Sequence, residues 1–153
     1  MGGAAVGLLI YAAISLVRTF SDAFLELGIG VGQVDVGKEQ IQSFSPQLYD
    51  YISHLQIAVS GFMAGIGLAI LFMVAFGVRR GYMWAWAGAV ASAVLALVVA
   101  LPAHYSDHLD TFGHLGLIYL MAVIFAAGAL ITLPVMDREA KRRGGRPISI
   151  DAS

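Results

Sequence analysis

Four long apolar runs, a sparse charge content and basic residues crowded beside the second and fourth runs predict an all-α, polytopic integral membrane protein. The expected fold is a four-helix transmembrane bundle with both termini cytoplasmic (N-in/C-in). Of the 153 residues, 59% are hydrophobic and only 12% are charged, where an ordinary soluble domain carries about 25% charged residues. Such a chain cannot cover a water-facing globule with polar groups. Cysteine is absent, which excludes disulfide staples, thiolate metal sites and iron–sulfur clusters.

The first run, Ala4 to Phe20, is slightly short of the roughly 20 residues that cross a bilayer. Its helix is therefore expected to continue to about residue 30, giving a first span of 4–30. That continuation puts Arg18, Asp22 and Glu26 on one face at i, i+4 and i+8, as an interfacial ladder of ion pairs. The N-terminus has neither the basic start nor the cleavage site of a signal peptide, so the run reads as a retained span. Val6 stands where a myristoylation motif needs Ser or Thr.

Glycines at positions 28, 30 and 32 then weaken the helix and permit a turn. Residues 33–50 read as a polar connection with one interfacial helical turn, Tyr49 and Tyr51 lying at headgroup level. The second span is expected at about 52–78, ending at Arg79-Arg80-Gly81, and its Gly61 and Gly65 permit close helix approach. A third span, 82–102, opens with an aromatic belt of Tyr82, Trp84 and Trp86. Along it Gly88, Ser92, Ala96 and Ala100 form a stripe of small residues on which a neighbouring helix could pack. The fourth span, 112–135, completes a transmembrane domain over 1–136, and a basic tail follows at 137–153. No convincing internal repeat is present, which weighs against an inverted-repeat transporter.

Orientation follows from the basic residues. Arg79, Arg80, Arg138, Lys141, Arg142, Arg143 and Arg146 fall on one side of a four-span arrangement, leaving only Arg18 and Lys38 elsewhere. The basic side is the expected cytoplasmic side, in the plasma or inner membrane of a prokaryotic cell.

All four histidines then fall in the opposite layer. His54 opens the second run, His104 closes the third, and His108 and His114 follow. On a helix His104, Asp107 and His108 would share a face, and Asp107, Asp110 and His114 another. Imidazole and carboxylate together suit a transition metal such as zinc, copper or iron. The candidate metal ligands are accordingly His104, Asp107, His108, Asp110 and His114. Haem b would need two imidazoles facing across the macrocycle, which His54 with His104 or His114 could supply, His54 and His114 being the candidate cofactor-binding residues. A quinone site asks less, one histidine with a tyrosine or carboxylate, and Tyr105 and Tyr119 are near in sequence. A solvated polar loop with no ligand would use the same residue types.

Phosphate-binding glycine loops, nucleophile elbows and selectivity-filter sequences are absent. No nucleic-acid partner is expected; the lipid bilayer and other membrane subunits are. With so little polar mass, the chain reads as an accessory or anchoring subunit of a membrane oxidoreductase or comparable complex. The rival readings are a small transporter or proton-handling protein, and a purely structural membrane protein.

Overall fold

The computed structural model describes residues 1–21, 24, 25, 27, 29–106 and 112–144. Those residues form helices α1 (Gly2–Thr19), α2 (Val31–Val34), α3 (Lys38–Phe44), α4 (Pro46–Phe72), α5 (Met83–Ser106) and α6 (Phe112–Gly144), with no strand among them. A π-helical turn, Met73–Gly77, and a 3-10 turn, Val78–Arg80, prolong α4. Four segments are long and apolar enough to cross a membrane: Gly2–Thr19, Pro46–Arg80, Met83–Pro102 and Phe112–Arg143. The outward surface suits lipid, since Phe62, Ile131 and Val99 are 74%, 75% and 69% exposed.

The first helix is shorter than the sequence suggests. At 1.5 Å per residue its 18 residues span about 27 Å, close to the bilayer core of about 30 Å. Its last turn tightens, with Phe20 N–H donating to Val17 O (3.2 Å) and Ser21 N–H to Arg18 O (3.0 Å). The Thr19 hydroxyl shares its single proton between Ser15 O (3.1 Å) and Gln56 Oε1 (3.0 Å). Beyond this point the chain folds back, so that Arg18 Nε donates to Leu25 O at 3.0 Å and Lys38 Nζ to Ser21 O at 3.4 Å. α1 thus ends at Thr19, one residue after Arg18, the first position of the expected i, i+4, i+8 ladder. Asp22 and Glu26 lie outside the described residues.

α4 starts earlier than the apolar run that marked it. Ser45 caps it, its Oγ accepting the Leu48 N–H at 3.2 Å, and Pro46 occupies the first turn where its missing N–H costs nothing. The connection before it is more helical than one turn, for α2 and α3 both form there and α3 packs on α4. α1 runs antiparallel along α4, and close approach occurs at Gly67. A Cβ there would lie 3.3 Å from Ala5 O. Gly61 and Gly65 meet nothing within 4 Å, so this chain does not use them for packing.

The α4–α5 hairpin is set by two glycines. Gly81 takes a left-handed φ of 75° and donates to Val78 O (2.9 Å), while Tyr82 N–H donates to Gly77 O (3.0 Å). A Cβ at Gly77 would sit 2.2 Å from Ala85 Cβ, in a small core that also holds Val78 and Met136. Trp86 belongs to this interior instead of the aromatic belt. Its Nε1–H donates to Ala129 O (3.2 Å) and Thr132 Oγ1 (3.1 Å), fastening α5 to α6. Trp84, 66% exposed, is where the belt remains.

Gly77→Ala is expected to destabilise the protein in detergent by about 1–3 kcal/mol, the usual range for overpacking. Gly61→Ala, facing open space, should leave the unfolding midpoint unchanged or slightly raised. Equal midpoints for the two variants would contradict the contact at Gly77.

Candidate functional site

α5 runs through Pro102 to Ser106, past the expected end at 102, so His104 rides on its last turn. His114 stands in the first turn of α6 and is 1% exposed. The two rings meet with centroids 4.9 Å apart, planes inclined by 27°, and an Nε2–Nε2 separation of 3.0 Å. Each ring is also held from behind. His104 Nδ1 lies 2.8 Å from Ala100 O, and His114 Nδ1 lies 2.7 Å from Leu27 O. The loop that supplies Leu27 is anchored by Phe24, which is 1% exposed and stacks on Tyr49 with centroids 5.0 Å apart.

A carbonyl oxygen only accepts, so each Nδ1 contact is a hydrogen bond when that nitrogen carries the hydrogen. The contact between the two Nε2 atoms likewise needs a hydrogen on one of them. Two neutral imidazoles carry two N–H groups between them, so the three contacts share two donors.

Behind the pair lies an elongated apolar cavity of about 350 Å³ at the centre of the four long helices. Val59 and Ile66 of α4 and Ala96 and Ala100 of α5 line it and are exposed. α4 and α5 touch mainly around the π-helical turn, so the cavity opens along the seam between them. The small-residue stripe therefore serves two purposes. Gly88 packs against Met73, where a Cβ would lie 3.1 Å from its sulfur, whereas Ala96 and Ala100 leave room. Polar groups reach the cavity at His104, His114, Tyr11 and Ser15.

Among the sequence candidates, the structure brings His104 and His114 together. His54 is exposed and does not line this cavity. Asp107, His108 and Asp110 lie outside the described residues. Among the described residues no group of three or more His, Asp or Glu side chains is placed to hold a metal. The Tyr105 and Tyr119 hydroxyls bond to each other, and neither residue lines the cavity. Sequence reasoning missed Tyr11, Ser15 and the Leu27 carbonyl. The last of these is a backbone group that any residue would supply.

Scanned against family models, curated proteins and solved structures, the chain matches none.

Nitrogen-15 spectra of histidine-labelled protein in micelles should show a scalar coupling between the Nε2 atoms of His104 and His114 across their hydrogen bond. Loss of that coupling in His104→Ala is the expected control. Absence of any coupling between the two Nε2 atoms would overturn the pairing.

Proposed function

We propose that this chain is a small, four-span subunit of a larger membrane complex of the oxidoreductase class. Its proposed task is to seat a membrane-soluble ligand of the quinone type. The observation that carries the reading is the His104–His114 pair at the head of an apolar cavity open along the α4–α5 seam. The volume of about 350 Å³ lies within the range of about 300–1,000 Å³ typical of small-molecule sites. It would take one ring and the start of an isoprenoid tail. A quinone carbonyl needs a hydrogen-bond donor, and an Nε2–H on either ring would supply one at the cavity's polar end. An apolar tail matches the Val, Ile and Ala walls and can enter sideways from lipid without crossing water.

The proposed orientation places the Arg79–Arg80 turn and the α6 terminus in the cytoplasm, by the excess of basic residues there. The histidine pair then faces the outer half of the bilayer. Reporter fusions after Arg80 and after Ser153 should both report cytoplasm, and an external location for either would reverse the orientation.

Ligand binding is tested with a short-chain quinone added to protein purified without a histidine tag. Saturable binding of one molecule per chain is expected, weakened about tenfold or more in His104→Gln and His114→Ala, as befits loss of a buried polar contact. Binding that survives both substitutions would sink the site. Purification in mild detergent should bring larger partners with the chain, whereas a lone monomer with activity of its own would sink the subunit reading. The imidazole–imidazole contact is one observation in favour of proton handling, and proton flux through liposomes holding the chain alone would support that rival.

A further inference from the structure

The opposite end of the bundle holds a second recess. The π-helical turn interrupts α4 just before the hairpin and opens a notch of about 360 Å³ against the start of α5. Phe72, Phe76, Tyr82 and Trp84 wall it, and Arg80 stands at its rim. Phe72 and Phe76 stack at 5.5 Å, and the Arg80 guanidinium lies 6.0 Å from the Phe76 ring. All four aromatic rings are exposed, at 54%, 53%, 39% and 66%.

The charges around the notch are unevenly neutralised. Lys141 pairs with Asp137 at 2.6 Å and Arg142 with Glu139 at 3.2 Å. Among the described residues no carboxylate pairs with Arg79, Arg80 or Arg143. Arg143 instead lies over the Tyr82 ring at 4.2 Å from its centroid and donates to the Arg80 carbonyl. That contact ties the end of α6 to the hairpin and sets a second guanidinium over Tyr82, one of the notch's walls.

We infer that this notch binds one anionic phospholipid. Its phosphate would be held by Arg80 with Arg143 alongside, and one acyl chain would lie along Phe72 and Phe76. Two features single out an anionic lipid. The guanidiniums lack acidic partners, so an anion supplies the missing charge, and guanidinium geometry suits phosphate oxygens. The aromatic walls continue from the charged rim toward the apolar belt of α4, which is the shape of a headgroup joined to a chain. Tyr82 and Trp84 have the amphipathic rings that settle at the level between the two. The inference stands apart from the quinone reading, because it uses neither the histidines nor the central cavity.

The test is native mass spectrometry of the full chain released from nanodiscs of phosphatidylglycerol mixed with phosphatidylcholine, with melting temperatures in detergent as a second readout. One phosphatidylglycerol should be retained in preference to phosphatidylcholine. Arg80→Gln should weaken retention about fivefold, the usual effect of one base near an anionic surface. Arg142→Gln removes the same formal charge from an arginine already paired with Glu139, and should change retention less than twofold. Phe76→Ala should weaken both lipids without altering their order. Unchanged melting of each variant without added lipid shows that the fold is intact. Equal losses in Arg80→Gln and Arg142→Gln would reduce the effect to general surface attraction and overturn the site. So would equal retention of the two lipids, or stabilisation by inorganic phosphate as large as that by phosphatidylglycerol.

Discussion

The histidine end of this bundle depends on one chain of contacts: Ala100 O to His104, His104 to His114, and His114 to Leu27 O. In an apolar surrounding a buried polar group without a partner costs several kcal/mol, so such groups find one another wherever the chain permits. Here that requirement joins three separate segments, the end of α5, the start of α6 and the loop after α1. Apolar packing alone would not fix them. Lipid is as apolar as the side chains it touches, so it drives helices together only weakly. At the other end the same work is shared between the Trp86 hydrogen bonds to α6 and the contact of Gly77 with Ala85.

The central cavity follows from the difference between these two ends. Around the π-helical turn, α4 and α5 approach until a glycine and an alanine touch. Toward the histidines they diverge, and α5 presents Ala96 and Ala100 where larger side chains would have filled the gap. Left empty, walls of this extent lose their dispersion contacts. The proposed apolar tail, entering through the seam, would restore them. The cavity is thus an outcome of residue size along α5 together with the helix splay.

Much of this architecture was legible in the sequence, and the parts that were not share a cause. Apolar length and charge sparsity marked all four long helices, because a helix long and apolar enough to cross a membrane declares itself in local composition. Helix ends depend on tertiary contacts. α1 stops where Thr19 meets Gln56 and Arg18 reaches Leu25 O, neither of which a local window contains. The start of α4 was written in Ser45-Pro46, a cap and first-turn signal that hydropathy outweighed. For Trp86 the error was azimuthal, since proximity to a span end says nothing about which way an indole points. The same gap limited the site. His104 and His114 stood among the candidates by residue type, but their mutual register depends on how far α5 continues past Pro102. Leu27 takes part through its backbone, and backbone contacts leave no trace in side-chain identity.

Selectivity for the proposed quinone-type ligand must come from the polar end of the cavity. Acyl chains of the bilayer compete for the apolar walls at great excess, and each methylene gains about as little on leaving lipid for protein as a leucine would. What distinguishes one lipid-soluble molecule from another is the head it offers to the two Nε2 atoms. Because both Nδ1 atoms are engaged by backbone carbonyls, neither ring can flip without breaking a bond. The imidazole edges therefore face the cavity in one orientation, preorganised before any ligand arrives. A head that accepts a hydrogen bond can take over an Nε2–H that bonds one ring to the other, while a purely apolar molecule leaves that bond where it was. Discrimination then rests on a single exchange of hydrogen-bond partners, made in surroundings where such an exchange counts for more than it would in water.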